Sequence, residues 1–592
     1  MTEVVAEPVF GVSKSVSGLC WKRRYSDQRR ALALSQRLDV PAVVGEVLAA
    51  RSISVETADR FISPKLRDLL PDPSSLSDMD KAADRAADAL VKGEQIAVFG
   101  DYDVDGATSS ALLKRFFGAL GVELDVYIPD RVKEGYGPTT TAFEKLLSRG
   151  AELVLTVDCG ATAYDALEFA REAGLDVIVL DHHSSGPSKP ECFALVNPNR
   201  IDDDSGQGML AAVGVVFLFL VALNRALRRC GFFSNTKEPN LLAWLDLVAL
   251  GTVCDVVPLQ GLNRALVQQG IKVLARRGNV GLAVLADIAG FEGYPDSYHL
   301  GFVLGPRINA GGRVGDPDLG HRLLTTEDRD LAWDLATRLD LLNKERRTIE
   351  TIHLEEAYSQ LGSQPDLSRI ILVHGNDWHP GVIGLVASRL TEQYRIPSLV
   401  IALDGALGKG SGRSVRGIDL GALITGARQA GIIEAGGGHP MAAGFTIQSD
   451  RVSDLGVFIE QRVSKIAQDA NALFFELDAI LDLSGVTFDL AESFEQVGPF
   501  GSGNPRPRFA LSNLRVVRAD PVGDGSHVRC IFGSEGGGRV SGIAFRASDR
   551  PIGQALLSAK FLHVAASLRV NTWAGKQEAQ LFVEDVAYPD NA

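Results

Sequence analysis

The sequence predicts an α/β protein of several domains. A mostly parallel sheet is joined by a long helix to a smaller α/β domain, and a C-terminal β-barrel of the OB type follows. Three observations carry this. Short apolar strands alternate with helical segments from residue 96 to 180, residues 327–360 keep one helical pattern, and short strands dominate after Gly498–Pro507. A chain of 592 residues is too long for a single core. The expected division is an N-terminal helical segment (1–75), the parallel-sheet domain (76–325), a connecting helix (326–362), the smaller α/β domain (363–470) and the barrel (471–592).

Composition narrows the function classes. A net charge of -14 argues against a protein that coats nucleic acid with its whole surface, yet leaves room for a local basic groove. The six cysteines (20, 159, 192, 230, 254, 530) form no CxxC pair, so neither a structural zinc site nor a disulfide framework is expected. The most apolar stretch, Met209 to Leu223, is shorter than the ~20 residues of a membrane span, and no signal-peptide pattern opens the chain. A cytoplasmic protein is expected.

Residues 1–75 are mixed, with a basic cluster at Trp21-Lys22-Arg23-Arg24 and helical patterning from Val40 to Phe61. A helix over 80–95 leads into the strand Ile96–Phe99, which ends in Gly100-Asp101-Tyr102-Asp103-Val104-Asp105-Gly106. Residues two apart on extended chain point the same way, so at least two of the three carboxylates can converge. Buried together they repel unless a cation or a proton sits among them. An EF-hand loop is excluded: it needs a glutamate six residues after the glycine, where Leu112 stands, and a helix before it.

Strands Leu124–Ile128, Leu153–Val157 and Val177–Leu180 follow, with helices over 139–149 and 162–173. The 153–157 strand ends in Asp158-Cys159-Gly160 and the 177–180 strand in Asp181-His182-His183. Helical Leu241–Leu250 runs into Gly251-Thr-Val-Cys-Asp255. One aspartate after a strand is an ordinary helix cap. Three strand ends in one sheet bearing Asp, Asp and Asp-His-His point to a metal site off the carboxyl ends. Oxygen and imidazole ligands without thiolate suit manganese or magnesium. Cys159 and Cys254 are expected as buried small residues.

These four motifs resemble those of the DHH phosphoesterase family, and within it the RecJ exonucleases acting on single-stranded DNA. The resemblance continues through Gly305-Pro-Arg-Ile-Asn-Ala-Gly-Gly-Arg, Leu342-Asn-Lys-Glu-Arg-Arg, Trp378-His-Pro-Gly-Val-Ile-Gly, Gly408-Lys-Gly-Ser-Gly-Arg-Ser and Gly436-Gly-Gly-His-Pro-Met-Ala-Ala-Gly-Phe, covering residues 15 to 510. It implies two divalent cations, Mn²⁺ or Mg²⁺, on Asp103, Asp105, Asp158, His182 and Asp255, with Asp158 bridging and Asp255 as a second candidate bridge. Asp101 and His183 would stand behind the ligands or touch the scissile phosphate, Asp101 being the one of its trio expected to stay off the metal. Related pyrophosphatases carry a ligand histidine where this chain has Phe99, a departure that favours the nuclease branch.

The resemblance further implies that Arg131, Arg307, Ser411 and Arg413 hold DNA phosphates and that His439 faces the cleft. Arg307 and Arg313 flank Asn309-Ala-Gly-Gly, where a bidentate fork beside glycine suits phosphate and a salt bridge within a surface is the competing reading. The helix over 327–360, about 50 Å long at ~1.5 Å per residue, is expected as a spacer rather than a core helix. From about Ser368 the smaller domain starts. Its glycine-rich stretches, Lys409–Ser414 and Gly436–His439, are expected as loops cradling phosphate. Neither has Walker A spacing, so ATP use is not expected.

Between Pro505 and Lys576 stand eleven Lys or Arg against four Asp or Glu, with Phe509, Phe532, Phe545 and Trp573 interleaved. That fits a single-strand groove with stacking platforms. The implied activity is 5′-to-3′ exonucleolytic release of mononucleotides from single-stranded DNA, in repair and recombination. A single-strand-binding protein and a DNA helicase are the partners it suggests, and a monomer is expected. The alternatives are a phosphoesterase acting on short oligonucleotides or cyclic dinucleotides, and a non-catalytic replication scaffold.

Overall fold

Five parallel strands, in spatial order Asp125–Tyr127, Ile96–Gly100, Leu153–Val157, Asp176–Leu180 and Ala194–Val196, build the sheet that carries the acidic motifs. The structure is a computed structural model and describes residues 7–589 apart from 187, 292, 363–369, 467–473, 535–536 and 574–575. Every residue of Ile96–Gly100 and Leu153–Val157 is buried, the uninterrupted apolar run that a parallel sheet covered on both faces requires. Phe99, Phe143, Leu146, Val154, Leu167 and Val177 fill one core. Helices Val104–Ala119 and Ala212–Arg229 also pack on the sheet. The second of these contains most of the apolar stretch 209–223 and is a buried core helix; among the described residues no helix is long and apolar enough to cross a membrane. Strand order reverses at Ile96–Gly100, the point at which an open α/β sheet leaves a crevice off its carboxyl ends.

The chain divides into two compact units. One comprises residues 71–257 and 266–470, the other 1–70, 258–265 and 471–592. Residues 261–320 are largely helical. Gly261–Leu274, Val280–Ile288, Gly305–Val314 and Leu319–Thr325 are helices, with a π-turn at His299–Leu304. The long helix is Arg329–Leu361, capped by Asp328, which accepts the N–H groups of Asp330 and Leu331. It is not a bare spacer. Leu335, Leu339 and Leu342 are buried in a stripe at helical spacing, and the helix packs on Val280–Ile288 and Gly305–Val314.

The smaller domain is a mixed five-stranded sheet in the order Ala435–His439, Ala442–Gln448, Leu407–Arg413, Ser398–Asp404, Ile371–Asn376. Its expected start near Ser368 lies outside the described residues. Both glycine-rich stretches are strands rather than loops. The glycines serve close packing: a Cβ on Gly410 would lie 2.1 Å from the Phe445 ring, and one on Gly412 2.6 Å from Leu399 and Leu420. Side chains are absent because neighbouring ones take their space.

In the other unit, Arg508–Val522, His527–Gly533, Arg539–Ala544, Lys576–Ala587 and Phe561–Trp573 close into a five-stranded barrel through the pairing of the first strand with the last. Helix Pro551–Ser558 lies between the third strand and the fourth in sequence. The strand order and the parallel pairing of Arg539–Ala544 with Lys576–Ala587 match the expected OB type. The N-terminal stretch, expected as a segment by itself, shares this unit's core: Leu34, Val44, Val47 and Leu48 cluster with Phe494, Phe509 and Phe532. Of the supposed basic cluster, Lys22 lies over the Phe474 ring and Arg24 pairs with Glu476 and Asp478, while Trp21 is fully buried. Its indole Nε1–H donates to Asp585 Oδ2 at 2.8 Å. Trp21→Phe keeps most of the packing but strands a buried carboxylate. Calorimetry is expected to show a loss of about 1–3 kcal/mol; an unchanged melting profile would contradict this role.

Candidate metal centre and phosphate cleft

Four chain turns deliver the acidic groups. Asp103 caps the helix Val104–Ala119: its Oδ1 accepts the N–H groups of Asp105 (2.8 Å) and Gly106 (3.1 Å). Gly106 is obligatory here, since a Cβ would sit 2.4 Å from the Asp101 carbonyl oxygen. Asp105, only 1% exposed, caps a second helix. Its Oδ2 accepts from Ala212 N–H (2.7 Å) and its Oδ1 from Val213 N–H (2.9 Å), where Ala211 offers no side-chain cap. Asp158 follows its strand at φ +61°, a left-handed conformation uncommon outside glycine. Asp255 ends the helix Leu245–Cys254.

Asp181 organises the histidine pair. Its Oδ1 accepts His182 N–H (2.7 Å), His183 N–H (3.1 Å) and His183 Nδ1 (2.8 Å), and its Oδ2 accepts Ala161 N–H (2.9 Å). The His182 Nε2 then stands 3.3 Å from Asp158 Oδ1, 3.5 Å from Asp255 Oδ2 and 3.9 Å from Asp105 Oδ2. A second cluster joins Asp101, Asp103 and Asp158, with ligand atoms all within 4.8 Å of one another. Asp158 belongs to both clusters. The atoms His182 Nε2, Asp158 Oδ1, Asp255 Oδ2 and Asp101 Oδ1 are buried without a hydrogen-bond partner. Buried polar atoms are almost always satisfied, so four orphans gathered in these two clusters fit bound ions rather than protein contacts. Oxygen and imidazole donors suit a hard or borderline divalent cation. The thiols take no part: Cys159 Sγ faces the Val157 carbonyl and Cys254 Sγ the Leu300 carbonyl.

The electrostatics agree. Burial, then repulsion from neighbouring carboxylates, pushes Asp105 up to about 7 and Asp255 to about 9, and holds Asp101 and Asp158 well above the usual carboxylate range. Burial and the neighbouring His183 drive His182 down to about 4, so its imidazole is neutral, as a ligand must be. His183 moves up. Burial opposes this, but the bond and charge of Asp181 outweigh it. Asp181 itself falls to about 2 despite its burial, because His183 and backbone N–H groups stabilise its charge.

Beside this centre lies a cationic cluster. Arg313 is pushed down to about 10 by burial and by Arg131 and Arg413, and Arg413 is lowered by burial and by Arg131. Arg313 Nη1 donates to the Gly381 carbonyl (3.1 Å), Arg413 Nη1 to the Gly412 carbonyl (2.9 Å), and Arg131 lies 5.0 Å over the Tyr102 ring. Among the described residues, none of the three forms a salt bridge. The helix Ile383–Tyr394 begins against them: a Cβ on Gly384 would be 3.0 Å from Ser411 Oγ and 3.3 Å from Arg413 Nη2. Three guanidinia, a hydroxyl and a helix N-terminus without a carboxylate among them suit phosphate.

Arg307 is placed elsewhere. Its Nε pairs with Asp340 Oδ1 (2.9 Å) and its Nη1 with the Val303 carbonyl (2.7 Å), tying the π-turn to the long helix, while Arg313 occupies the cluster. His439 stacks on His183 with centroids 6.2 Å apart. The sequence reading left Tyr136 without a role. Its hydroxyl donates to the Asp158 carbonyl (3.0 Å) and lies 3.1 Å from His183 Nδ1. Its only sequence signal was the glycine on either side, which marks a constrained turn.

A parallel sheet with carboxylates and a histidine pair at its strand ends defines a DHH-type phosphoesterase. The DHH family N-terminal domain matches residues 95–252, the DHHA1 domain 367–465 and the RecJ OB domain 477–585. The single-stranded-DNA-specific exonuclease RecJ of Escherichia coli is 34% identical over 589 residues, covering 94% of this chain and 99% of that protein. Its counterpart in Bacillus subtilis is 32% identical over 577 residues, covering 96% of this chain and 71% of that protein. The Thermus thermophilus RecJ crystal structure in complex with Mn²⁺ superposes with a TM-score of 0.80 at 30% identity, covering 96% of this chain and 79% of the other. The Mg²⁺ complex of the same protein gives 0.75 at 28%, covering 96% and 78%. The chain belongs to the RecJ family.

The raised carboxylates set a pH dependence. A carboxylate that binds its proton more tightly folded than unfolded loses stabilising effect as pH rises through the two values. Asp105 therefore destabilises the metal-free protein increasingly up to about pH 7 and Asp255 up to about pH 9, and the raised His183 acts in the same direction. The depressed His182 works the other way, but only below pH 6.5. The melting temperature in EDTA is expected to fall from pH 6.5 to 9, and saturating Mg²⁺ to raise it by a margin that widens with pH. A margin independent of pH would contradict the assignment.

Proposed function

We propose that this protein is a metal-dependent exonuclease that hydrolyses single-stranded DNA from the 5′ end and releases mononucleotides. The supporting observation is the adjacency of an unsatisfied carboxylate–imidazole cluster and an unpaired guanidinium cluster within one compact unit. Asp105, Asp158, His182 and Asp255 would hold one divalent cation; Asp103, Asp158 and Asp101 would hold a second. When bound, such a pair makes a water nucleophilic at neutral pH and neutralises charge on the phosphoryl and leaving oxygens. Asp101 is drawn into the ligand set by its orphaned Oδ1, whereas Asp103 keeps Oδ1 on the helix N-terminus and has Oδ2 to offer.

The chain's own groups bind and orient the strand. Arg131, Arg313, Arg413 and Ser411 hold the terminal phosphate. That placement sets polarity, because the strand must present a 5′ end there for the next phosphodiester to reach the carboxylates. His183, anchored through Nδ1 on Asp181 and raised in pKa by it, keeps a proton available to a phosphoryl oxygen. In the barrel, Phe509 and Phe532 are core residues, and the Trp573 side chain lies outside those described. The exposed platform is Phe545, 52% exposed, with Phe582 at 5.5 Å, His527 at 5.1 Å and Arg569 4.3 Å over the Phe582 ring. Such a cluster of rings beside arginine suits successive bases of a single strand.

A 5′-labelled, 5′-phosphorylated single strand with Mn²⁺ is expected to yield labelled mononucleotide. Asp255→Asn should lower that rate at least 100-fold, and Arg313→Ala should raise KM and remove the preference for a 5′-phosphate over a 5′-hydroxyl. Mononucleotide release that persists in Asp255→Asn would overturn the reading. Phe545→Ala should weaken binding of long strands by about 1–3 kcal/mol and leave very short oligonucleotides unaffected. Equal loss on both lengths would favour a phosphoesterase of short substrates.

A further inference from the structure

Two asparagines that serve neither the metal centre nor the phosphate cleft hold the backbone of the histidine pair. Both follow the edge strand Ala194–Val196, in Asn197-Pro198-Asn199. Asn197 is fully buried, and its Nδ2 donates to the His183 carbonyl at 2.8 Å. Its Oδ1 accepts the Asn199 N–H at 2.8 Å, which fixes the turn between them. Asn199 Nδ2 donates twice, to the His182 carbonyl at 2.5 Å and to the Gly208 carbonyl at 3.1 Å. Gly208 is tailored to this contact, since a Cβ there would lie 2.5 Å from Asn199 Oδ1.

The second of those bonds reaches the segment that approaches the imidazole: the Leu210 backbone, two residues beyond Gly208, acts on the His182 ring and favours its protonated form. One side chain thus ties the backbone that carries the ring to the segment beside the ring. Asp181 holds the N–H side of the same two residues. The His182 carbonyl shares one planar peptide with the His183 N–H, so Asp181 and Asn199 hold that unit from its two edges, and Asn197 holds the carbonyl of the next.

We propose that Asn199 is a positioning residue for the metal centre, bridging His182 to the 208–210 segment so that Nε2 faces Asp158 and Asp255 with its lone pair, and that Asn197 does the corresponding work for His183. The inference rests on the metal-centre reading. Groups that orient a ligand histidine from behind it typically change metal affinity 10–100-fold when removed. Asn199 is exposed, so replacing it opens no core cavity.

The test is a Mn²⁺ titration of the full chain, read by the paramagnetic resonance of free Mn²⁺, for wild type, Asn199→Ala and Asn199→Leu. Both variants are expected to bind Mn²⁺ about tenfold more weakly. Saturating Mn²⁺ should restore kcat, with KM for DNA and the melting temperature in EDTA unchanged. Wild-type affinity in both variants overturns the proposal. So does a loss of affinity matched by a fall in the EDTA melting temperature, which would mark a fold defect. A wild type that binds no Mn²⁺ overturns the metal-centre reading instead, so the two failures are told apart.

Discussion

Repulsion among buried carboxylates is the constraint on which the rest of the architecture depends. Asp101, Asp105, Asp158 and Asp255 occupy one crevice, and burial with mutual repulsion holds the protons on them far above the ordinary carboxylate range. A protein gains nothing in stability by such an arrangement; a cation is what makes it favourable. The surrounding structure holds the groups in place against that repulsion. Asp105 is pinned by the N-terminus of Ala212–Arg229, Asp103 caps its own helix, and Asp158 is kept at a positive φ.

The same unit sets cations beside the anions. Arg131 lowers the affinity of Arg313 and Arg413 for protons, and Arg413 that of Arg313, as the carboxylates raise theirs. Neither set neutralises the other fully, because each is held to its own backbone partners. A phosphodiester strand carrying bound cations is complementary to both. In the proposed complex its phosphate would satisfy the guanidinia and its cations the carboxylates.

Much of this was legible in the chain. A run such as Leu153–Val157 ending in Asp158 states both the strand and the position of its carboxylate, because strand ends in a parallel sheet share one edge. Side-chain competition was not legible. Arg307 and Arg313 flank the same glycines, and only the presence of Asp340 on a distant helix decides which is tied down. The glycine runs 408–412 and 436–438 read as loops because they carry none of the bulky side chains that signal a strand; Phe445 and Leu399 on the neighbouring strands fill that space instead. The union of residues 7–70 with the barrel depends on long-range burial, of which Trp21 against Asp585 gives no local sign. Asn197 and Asn199 act through backbone carbonyls, a role that asparagine in a turn does not announce.

The central claim is that the clustered carboxylates and His182 are a cation site. Anomalous diffraction from a crystal grown with Mn²⁺ tests it most directly. The account predicts a peak within coordination distance of His182 Nε2, Asp105, Asp158 and Asp255, and a second on the Asp101 and Asp103 side of Asp158. A well-ordered crevice with no anomalous peak at saturating Mn²⁺ would contradict it.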